Sequence, residues 1–160
     1  MTGSAMKPFG EDGPTLRELL DQALASTERG YDMLAPKFDA TPFRTPDAVV
    51  ERALDGVGVV DDALDLCCGT GGALRVLLLH TRRRVVGVDF SQGMLDEARA
   101  KLGDAARVEL VRSDVFATAH DAEFDLVTCF GAFGHIPAEA ETRFVPVSYT
   151  HLTLPTKRIV

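Results

Sequence analysis

An apolar strand that runs directly into a glycine-rich turn constrains the fold of this chain more than any other feature. Residues 63–72 read Ala-Leu-Asp-Leu-Cys-Cys-Gly-Thr-Gly-Gly, with an acid, Asp65, near the end of the strand. Gly69 and Gly71 leave the turn without Cβ atoms, so that a ligand can approach the backbone closely. This arrangement is typical of α/β sheets that bind a nucleotide cofactor at the carboxyl end of a strand.

The next predicted strand, residues 84–89, ends in a second acid, Asp89, which follows Asp65 by 24 positions. A carboxylate there can accept two hydrogen bonds from a ribose diol. The dinucleotide fingerprint G-x-G-x-x-G needs a third glycine, but Leu74 occupies that position. An NAD-linked oxidoreductase is therefore the less favoured alternative. A hydrolase is not predicted either, because the nucleophile motif G-x-S-x-G around Ser91 would need glycine in place of Asp89.

Four segments in order resemble the motifs of class I S-adenosylmethionine-dependent methyltransferases: residues 64–71, 88–95, 111–116 and 124–130. The resemblance covers about residues 31–145. It implies an α/β fold with a Rossmann-like, doubly wound parallel sheet of the class I methyltransferase type. The implied strand order is 3-2-1-4, truncated after about the fourth strand. It also implies methyl transfer from S-adenosylmethionine to an acceptor.

The resemblance implies a cofactor role for eleven residues. They are Tyr31, Asp65, Cys67, Gly69, Gly71, Asp89, Phe90, Met94, Asp114, Val115 and Phe130. Asp65 would order the ammonium of the methionine part, beside the loop glycines, and Asp89 would hold the ribose hydroxyls. Met94 would lie against the adenine face. Asp114 and the backbone N–H of Val115 would bind the edge of the adenine ring.

Several of these residues have a structural alternative. Asp114 could cap the turn after the third strand, and Met94 lies at helical spacing from core positions. Tyr31, like Phe38, could pack the N-terminal segment onto the sheet. His135, in the loop after the fourth strand, is the one catalytic candidate, because a histidine can take the proton from a hydroxyl acceptor. Its alternative role is packing.

Composition limits the classes of partner and compartment. The formal charge of −7 disfavours a nucleic-acid substrate, which favours a small-molecule acceptor. No stretch has the ~20 apolar residues of a membrane span, and no apolar signal core is present, so a cytoplasmic protein is expected. The three cysteines form no C-x-x-C pair, so neither a disulfide framework nor a metal site is predicted. Nothing in the sequence indicates an oligomeric state.

The chain is predicted to have four parts. They are a flexible arm at 1–13, an N-terminal helical cap at 14–56, an incomplete S-adenosylmethionine-binding methyltransferase domain at 57–146, and a non-native tail at 147–160. In the cap, Thr15 and Glu18 form a capping box at the start of an amphipathic helix that Gly30 ends. Pro46 begins a further helix.

Residues 147–160 resemble the in-frame translation of a sequencing adapter. A helix is predicted to begin near Ala138, and Pro146 is predicted to stop it within about two turns. The alternative for this segment is a β-prone terminus that pairs with the sheet edge. If the tail is non-native, the natural protein continues past residue 145. This chain would then be a truncated, inactive fragment that at most binds the cofactor.

Overall fold

The computed structural model describes residues 6–118, 123–132, 136 and 138–152. The strands are β1 Val60–Leu66, β2 Thr81–Asp89, β3 Val108–Arg112 and β4 Leu126–Thr128. The helices are α1 Leu16–Leu24, α2 Thr27–Leu34, α3 Asp47–Ala53, α4 Gly72–Leu77, α5 Gln92–Leu102 and α6 Ala138–Thr150, with a 3₁₀ helix at Ala35–Ala40. All three strand pairings are parallel, in the order β3-β2-β1-β4. The predicted Rossmann-like sheet is confirmed.

Helices cover both faces of the central strands, which explains their nearly continuous apolar sequence. Ala63 and Val85 are fully buried against a cluster that includes Leu74 of α4. Leu64 and Val86 are fully buried on the opposite face. The alternation of side chains along each strand thus divides the core into two clusters, and the strand ends remain at one edge for a ligand.

The N-terminal segment folds as two helices rather than one. The predicted capping box is confirmed, because Thr15 Oγ1 accepts from the N–H of Glu18 and the Glu18 carboxylate accepts from the N–H of Thr15. The prediction that Gly30 ends this helix is wrong, since Gly30 lies inside α2. A Cβ atom at Gly30 would stand 2.9 Å from the carbonyl oxygen of Gln22. This glycine therefore lets α1 and α2 approach closely.

The prediction that Pro146 stops the last helix is also wrong. α6 continues through this proline to Thr150, although a proline inside a helix removes one hydrogen bond. Phe144 and Ser148, two residues before and after the proline, are both buried. The Ser148 hydroxyl donates to the carbonyl of Phe144 over 2.9 Å. Neither α6 nor any other helix in the described part of the chain is long and apolar enough to cross a membrane.

The chain after α6 returns to the sheet edge. The N–H of Phe124 donates to the carbonyl of His151 over 3.0 Å, and Leu152 forms an isolated parallel bridge with Phe124. Leu152 is 1% exposed and belongs to the same core cluster as Phe144. The segment that resembles an adapter translation thus begins inside α6, and among its described residues Leu152 joins the core.

Replacing Gly71 with alanine should destabilise the fold more than replacing Gly56. Both glycines have φ near +80° (82° and 79°), so the backbone strain of a new Cβ is similar. A Cβ at Gly71 would lie 3.1 Å from Ala98 Cβ and 3.2 Å from Leu102 Cδ1, whereas at Gly56 it would meet nothing within 4 Å. We expect Gly71→Ala to lose about 1–3 kcal/mol more in urea unfolding than Gly56→Ala. Equal losses would show that α4 and α5 are not in close contact.

Candidate functional site

The loop after β1 turns through left-handed backbone three times. The φ angles of Cys67, Gly69 and Gly71 are 59°, 53° and 82°. The N–H of Cys68 still donates to the carbonyl of Val88, which extends the pairing with β2 by one residue. A Cβ on Gly69 would meet nothing within 4 Å. The loop therefore leaves open space beside its backbone at Gly69.

The Asp89 carboxylate fixes this loop. Its Oδ2 accepts from the N–H of Gly69 over 2.8 Å, and its Oδ1 accepts from the N–H of Ser91 over 2.9 Å. Asp89 is only 6% exposed. Burial raises the pKa of Asp89, and these backbone hydrogen bonds partly oppose that effect. One acid thus joins the glycine loop to the start of α5.

Asp65 is the more deeply buried acid, at 1% exposure. Thr128 of β4 donates from its hydroxyl to Asp65 Oδ1 over 2.7 Å, because the two residues are register partners. Burial raises the pKa of Asp65 to about 7, the Thr128 hydrogen bond opposes the shift, and the charge of Asp89 adds to it. Sequence reasoning missed Thr128. Its signal is a polar side chain inside an apolar strand.

A cavity of about 650 Å³ opens at the carboxyl ends of the strands. Ten of the eleven predicted cofactor residues line it: Tyr31, Asp65, Cys67, Gly69, Asp89, Phe90, Met94, Asp114, Val115 and Phe130. The strand order reverses between β1 and β4, and ligands of such sheets bind beside this switch point. The volume is in the range of small-molecule sites.

Gly71 is the predicted residue that does not line the cavity. Its missing Cβ makes room for Ala98 and Leu102 of α5, so its role in the structure is packing. Met94 both lines the cavity and is 1% exposed, which matches the core alternative as well as the cofactor prediction. Asp114 lines the cavity and also caps the turn after β3, since its Oδ1 accepts from the N–H of Phe116 over 2.8 Å.

Aromatic rings form the wall of the cavity nearest the cap. The Tyr31 ring meets Phe90 edge to face at 5.8 Å between centroids and lies 6.3 Å from Phe38. Burial and the charge of Asp89 raise the pKa of Tyr31 to about 12. The phenol therefore stays protonated at neutral pH and remains a hydrogen-bond donor beside the acidic strand ends.

Carboxylates hold the cap against the sheet domain. Asp32 Oδ1 accepts from the Ser91 hydroxyl over 2.6 Å and from the N–H of Gly93 over 2.9 Å. Asp39 accepts from the Thr70 hydroxyl over 2.6 Å and pairs with Lys101. These contacts bring Tyr31 and the residues after it over the strand ends and so complete the cavity.

Two arginines of the cavity wall were not predicted. Arg44 pairs with Asp39 and Asp47 and lies beside Gly72, where α4 begins. Arg112, at the end of β3, pairs with Glu28 of α2 over 2.6 Å. Both depend on contacts between distant parts of the chain, and neither has a periodic or spacing signal in the sequence.

The catalytic candidate His135 lies outside the described residues. Phe130 and Gly131, which precede it in the same loop, line the cavity. Within residues 6–118, 123–132, 136 and 138–152, no group of three or more histidine, cysteine, aspartate or glutamate side chains could hold a metal ion.

The sequence profile of a family described as "Methyltransferase domain" matches residues 63–153. The chain belongs to this methyltransferase family. The matched region starts in β1 and includes the glycine loop, both buried acids and all four strand ends. The predicted membership of the methyltransferases is confirmed.

Named relatives support the family assignment. The domain is 39% identical over 80 residues to the ubiquinone biosynthesis O-methyltransferase of Thiobacillus denitrificans, covering 48% of this chain and 34% of that protein. It is 35% identical over 131 residues to the demethylmenaquinone methyltransferase of Staphylococcus aureus, covering 79% and 53%. The chain thus spans about a third to a half of the length of these curated relatives.

Solved structures agree on the fold. A putative S-adenosyl-L-methionine-dependent methyltransferase of Methanococcus maripaludis superposes with a TM-score of 0.61 at 19% identity, over 79% of this chain and 59% of that one. A putative methyltransferase of Bacillus halodurans superposes with a TM-score of 0.57 at 26% identity, over 67% and 46%. The methyltransferase domain thus has the sheet of its family.

The buried charge of Asp65 should make stability depend on pH. An aspartate ionises near pH 4 when unfolded but at about 7 in this fold. The folded state therefore holds an extra proton between these values, and the free energy of unfolding falls as the pH rises from about 4 to 7. Asp65→Asn, whose amide oxygen can still accept from Thr128, should be more stable than the parent at about pH 8, by roughly 4 kcal/mol.

Urea unfolding across this pH range measures the effect. Asp96→Asn is the matched control, because the Asp96 side chain is 60% exposed on α5. The control should keep the pH profile of the parent. If Asp65→Asn also keeps it, Asp65 is not the group that titrates.

Proposed function

We propose that the methyltransferase domain binds S-adenosylmethionine in this cavity and transfers the methyl group to a small aromatic acceptor. One observation carries the proposal. Two buried carboxylates, Asp65 and Asp89, lie at the ends of adjacent strands on either side of a glycine loop that is open at Gly69. Family membership supports the reaction, and the cavity supports the ligand.

The donor and acceptor groups present fit this cofactor. The Asp89 oxygens accept from the backbone N–H groups of Gly69 and Ser91, and a carboxylate has about four lone-pair sites, so acceptor capacity remains for a ribose diol. Asp65 accepts from Thr128 through one oxygen, and an ammonium group would complete its coordination and favour its ionised form. Gly69 presents backbone without a side chain beside both acids.

The two ends of the cofactor would be held by different walls. Met94 and Phe90 offer apolar surface for the adenine ring, with Asp114 and Val115 at its edge. At the methionine end, Cys67, Tyr31 and Phe130 line the cavity together with Arg44. The Arg44 guanidinium lies against Gly72 and supplies a cation for the methionine carboxylate.

Positioning is the contribution that these residues make to the reaction. When bound, S-adenosylmethionine supplies a methyl group that its positively charged sulfur has already activated. The glycine loop and the two acids fix the orientation of the cofactor, and the aromatic wall excludes water. Holding both reactants at the right distance and angle is worth several orders of magnitude in rate.

An aromatic acceptor fits the composition of the wall. Six of the eleven aromatic residues of the chain are among the described lining residues: Tyr31, Phe38, Phe43, Phe90, Phe116 and Phe130. Rings of this kind favour a planar, apolar ligand. The relatives named above carry ubiquinone and demethylmenaquinone in their names. We therefore assign a hydroxylated, quinol-type ring as the acceptor class.

The alternative NAD-linked function is less well supported. Leu74, which replaces the third glycine of the dinucleotide fingerprint, packs against the strand where Gly87 leaves room for it. An acid such as Asp89 suits the ribose of either cofactor. NAD has no ammonium group to offer the buried carboxylate of Asp65, whereas S-adenosylmethionine has one.

Asp89→Asn should weaken S-adenosylmethionine binding about 100-fold, because the amide has no charge and one acceptor oxygen fewer, which weakens both the contacts that hold the loop and the hydrogen bonds to the ribose. Isothermal titration calorimetry of the 160-residue chain measures the affinity, with NAD as a second titrant. Asp96→Asn, which keeps the same net charge as Asp89→Asn on an exposed surface of α5, should bind like the parent.

Circular dichroism establishes that each variant is folded. Binding of NAD but not S-adenosylmethionine by the folded parent would contradict the proposed function. Equal affinity of Asp89→Asn and the parent would contradict the ribose assignment alone.

The acceptor class is tested by transfer of an isotopically labelled methyl group. We expect the chain to methylate a hydroxylated quinol or catechol, because the cavity wall is aromatic, and to leave nucleic acid unlabelled, because the chain carries a charge of −7. Mass spectrometry of the products gives the result. Label on aliphatic amines alone would contradict the aromatic class, and no transfer by a chain that binds the cofactor would contradict the activity of this polypeptide.

A further inference from the structure

Two cysteines meet where β1 and β4 end. Cys67 directly follows β1 and Cys129 directly follows β4, and the strands pair with Asp65 opposite Thr128. In this register Cys129 follows on opposite Leu66, so Cys67 lies one residue further along. With strands ~4.8 Å apart and a rise of ~3.3 Å per residue, the diagonal Cα separation is about 5.8 Å, within the ~4.4–6.8 Å that a disulfide spans. Interaction with the Cys67 side chain is the largest cause of the raised pKa of the Cys129 thiol, in agreement with this closeness. The two sulfur atoms are therefore neighbours.

The backbone at Cys67 is strained. Among the residues that the structure describes, Cys67 is the only non-glycine residue with positive φ, at 59°. Such a conformation costs about 1–3 kcal/mol and is concentrated at functional sites. The left-handed turn at Cys67 interrupts the alternation of side chains between the two faces of β1, and it brings the Cys67 thiol to the end of β4.

The third cysteine has a different environment. Cys68 is 6% exposed, and its sulfur lies 3.9 Å from the carbonyl oxygen of Gly69. Cys67 and Cys129 are both partly exposed, and Cys67 lines the cavity. A small oxidant that enters the cavity therefore reaches Cys67, with Cys129 as the thiol beside it.

We propose that Cys67 and Cys129 form a reversible disulfide, so that the cavity wall carries an oxidation-sensitive site. A hydroperoxide oxidises the Cys67 thiol to a sulfenic acid and is itself reduced to the alcohol, or to water in the case of hydrogen peroxide. The Cys129 sulfur then attacks the Cys67 sulfur, the S–S bond forms and water leaves. A dithiol returns both sulfurs to thiols.

Interaction with the Cys67 side chain and burial raise the pKa of Cys129. Its thiol therefore stays protonated at neutral pH, which makes Cys129 a poor first target for a peroxide. This places the first oxidation on Cys67. Cys129 must lose its proton to attack the sulfenic acid, so the cross-link should form faster as the pH rises.

The effect of oxidation on the ligand rests on the proposed function. Cys67 is part of the wall assigned to the methionine end of the cofactor, and a disulfide would fix its sulfur to β4. We expect the affinity for S-adenosylmethionine to fall about tenfold on oxidation and to recover after treatment with dithiothreitol. Cys129→Ala should bind the cofactor like the reduced parent, since Cys129 does not line the cavity, and should lose the sensitivity to peroxide.

Peptide mapping tests the disulfide independently of any cofactor. The folded chain is treated with hydrogen peroxide, blocked with N-ethylmaleimide and digested with trypsin without reduction. Trypsin releases residues 53–75, which contain Cys67 and Cys68, and residues 113–143, which contain Cys129. We expect these two peptides to be cross-linked in the parent and in Cys68→Ala, and not in Cys67→Ala or Cys129→Ala.

Each result decides the proposal. No cross-link in the folded parent, or an equal yield in Cys67→Ala, would overturn it. Circular dichroism identifies any variant that does not fold, and the parent alone remains decisive because the linked peptides can be sequenced by fragmentation. A chain that forms the Cys67–Cys129 link but does not bind S-adenosylmethionine would support the disulfide and contradict the proposed function.

Discussion

The geometry of the whole site depends on the buried carboxylate of Asp89. Its two oxygens accept from Gly69 in the loop after β1 and from Ser91 at the start of α5. Hydrogen bonds from backbone N–H groups to a buried charge are strong and directional. Asp89 thereby holds the loop after β1 and the turn before α5 in one arrangement, and the cavity lies beside these two segments. The acid is a structural element before it is a ligand-binding group.

The cap depends on that arrangement. Ser91 also donates to Asp32 of α2, so the same turn that Asp89 fixes is the attachment point of the N-terminal helices. A second attachment joins Asp39 to Thr70 of the glycine loop. The acidic composition of the chain is thus used partly inside the molecule, where carboxylates of the cap satisfy donors at the strand ends. With both attachments made, the Tyr31 ring lies edge to face against Phe90.

Local sequence signals predicted the parallel sheet, the glycine loop and the strand-end acids, because each lies within a short segment, whereas the strand order and most cavity residues came from the resemblance to the methyltransferases. The order of the strands and the convergence of Asp65, Asp89 and Asp114 follow from the parallel topology. The failures have a common cause. Gly30 lies inside α2, where its missing Cβ makes room for Gln22 of α1, and α6 continues through Pro146 with Phe144 and Ser148 buried. Arg44 and Thr128 are likewise positioned by distant partners.

The burial of the Asp65 and Asp89 carboxylates lowers the stability of the fold. For the same reason it favours a cationic ligand. Both acids are buried, burial raises both pKa values, and the charge of Asp89 disfavours ionisation of Asp65. A ligand that brings an ammonium group to Asp65 removes the cost of ionising it, so part of the free energy lost in folding is recovered on binding. The buried acids therefore set an electrostatic cost that a cationic group beside Asp65 would lower.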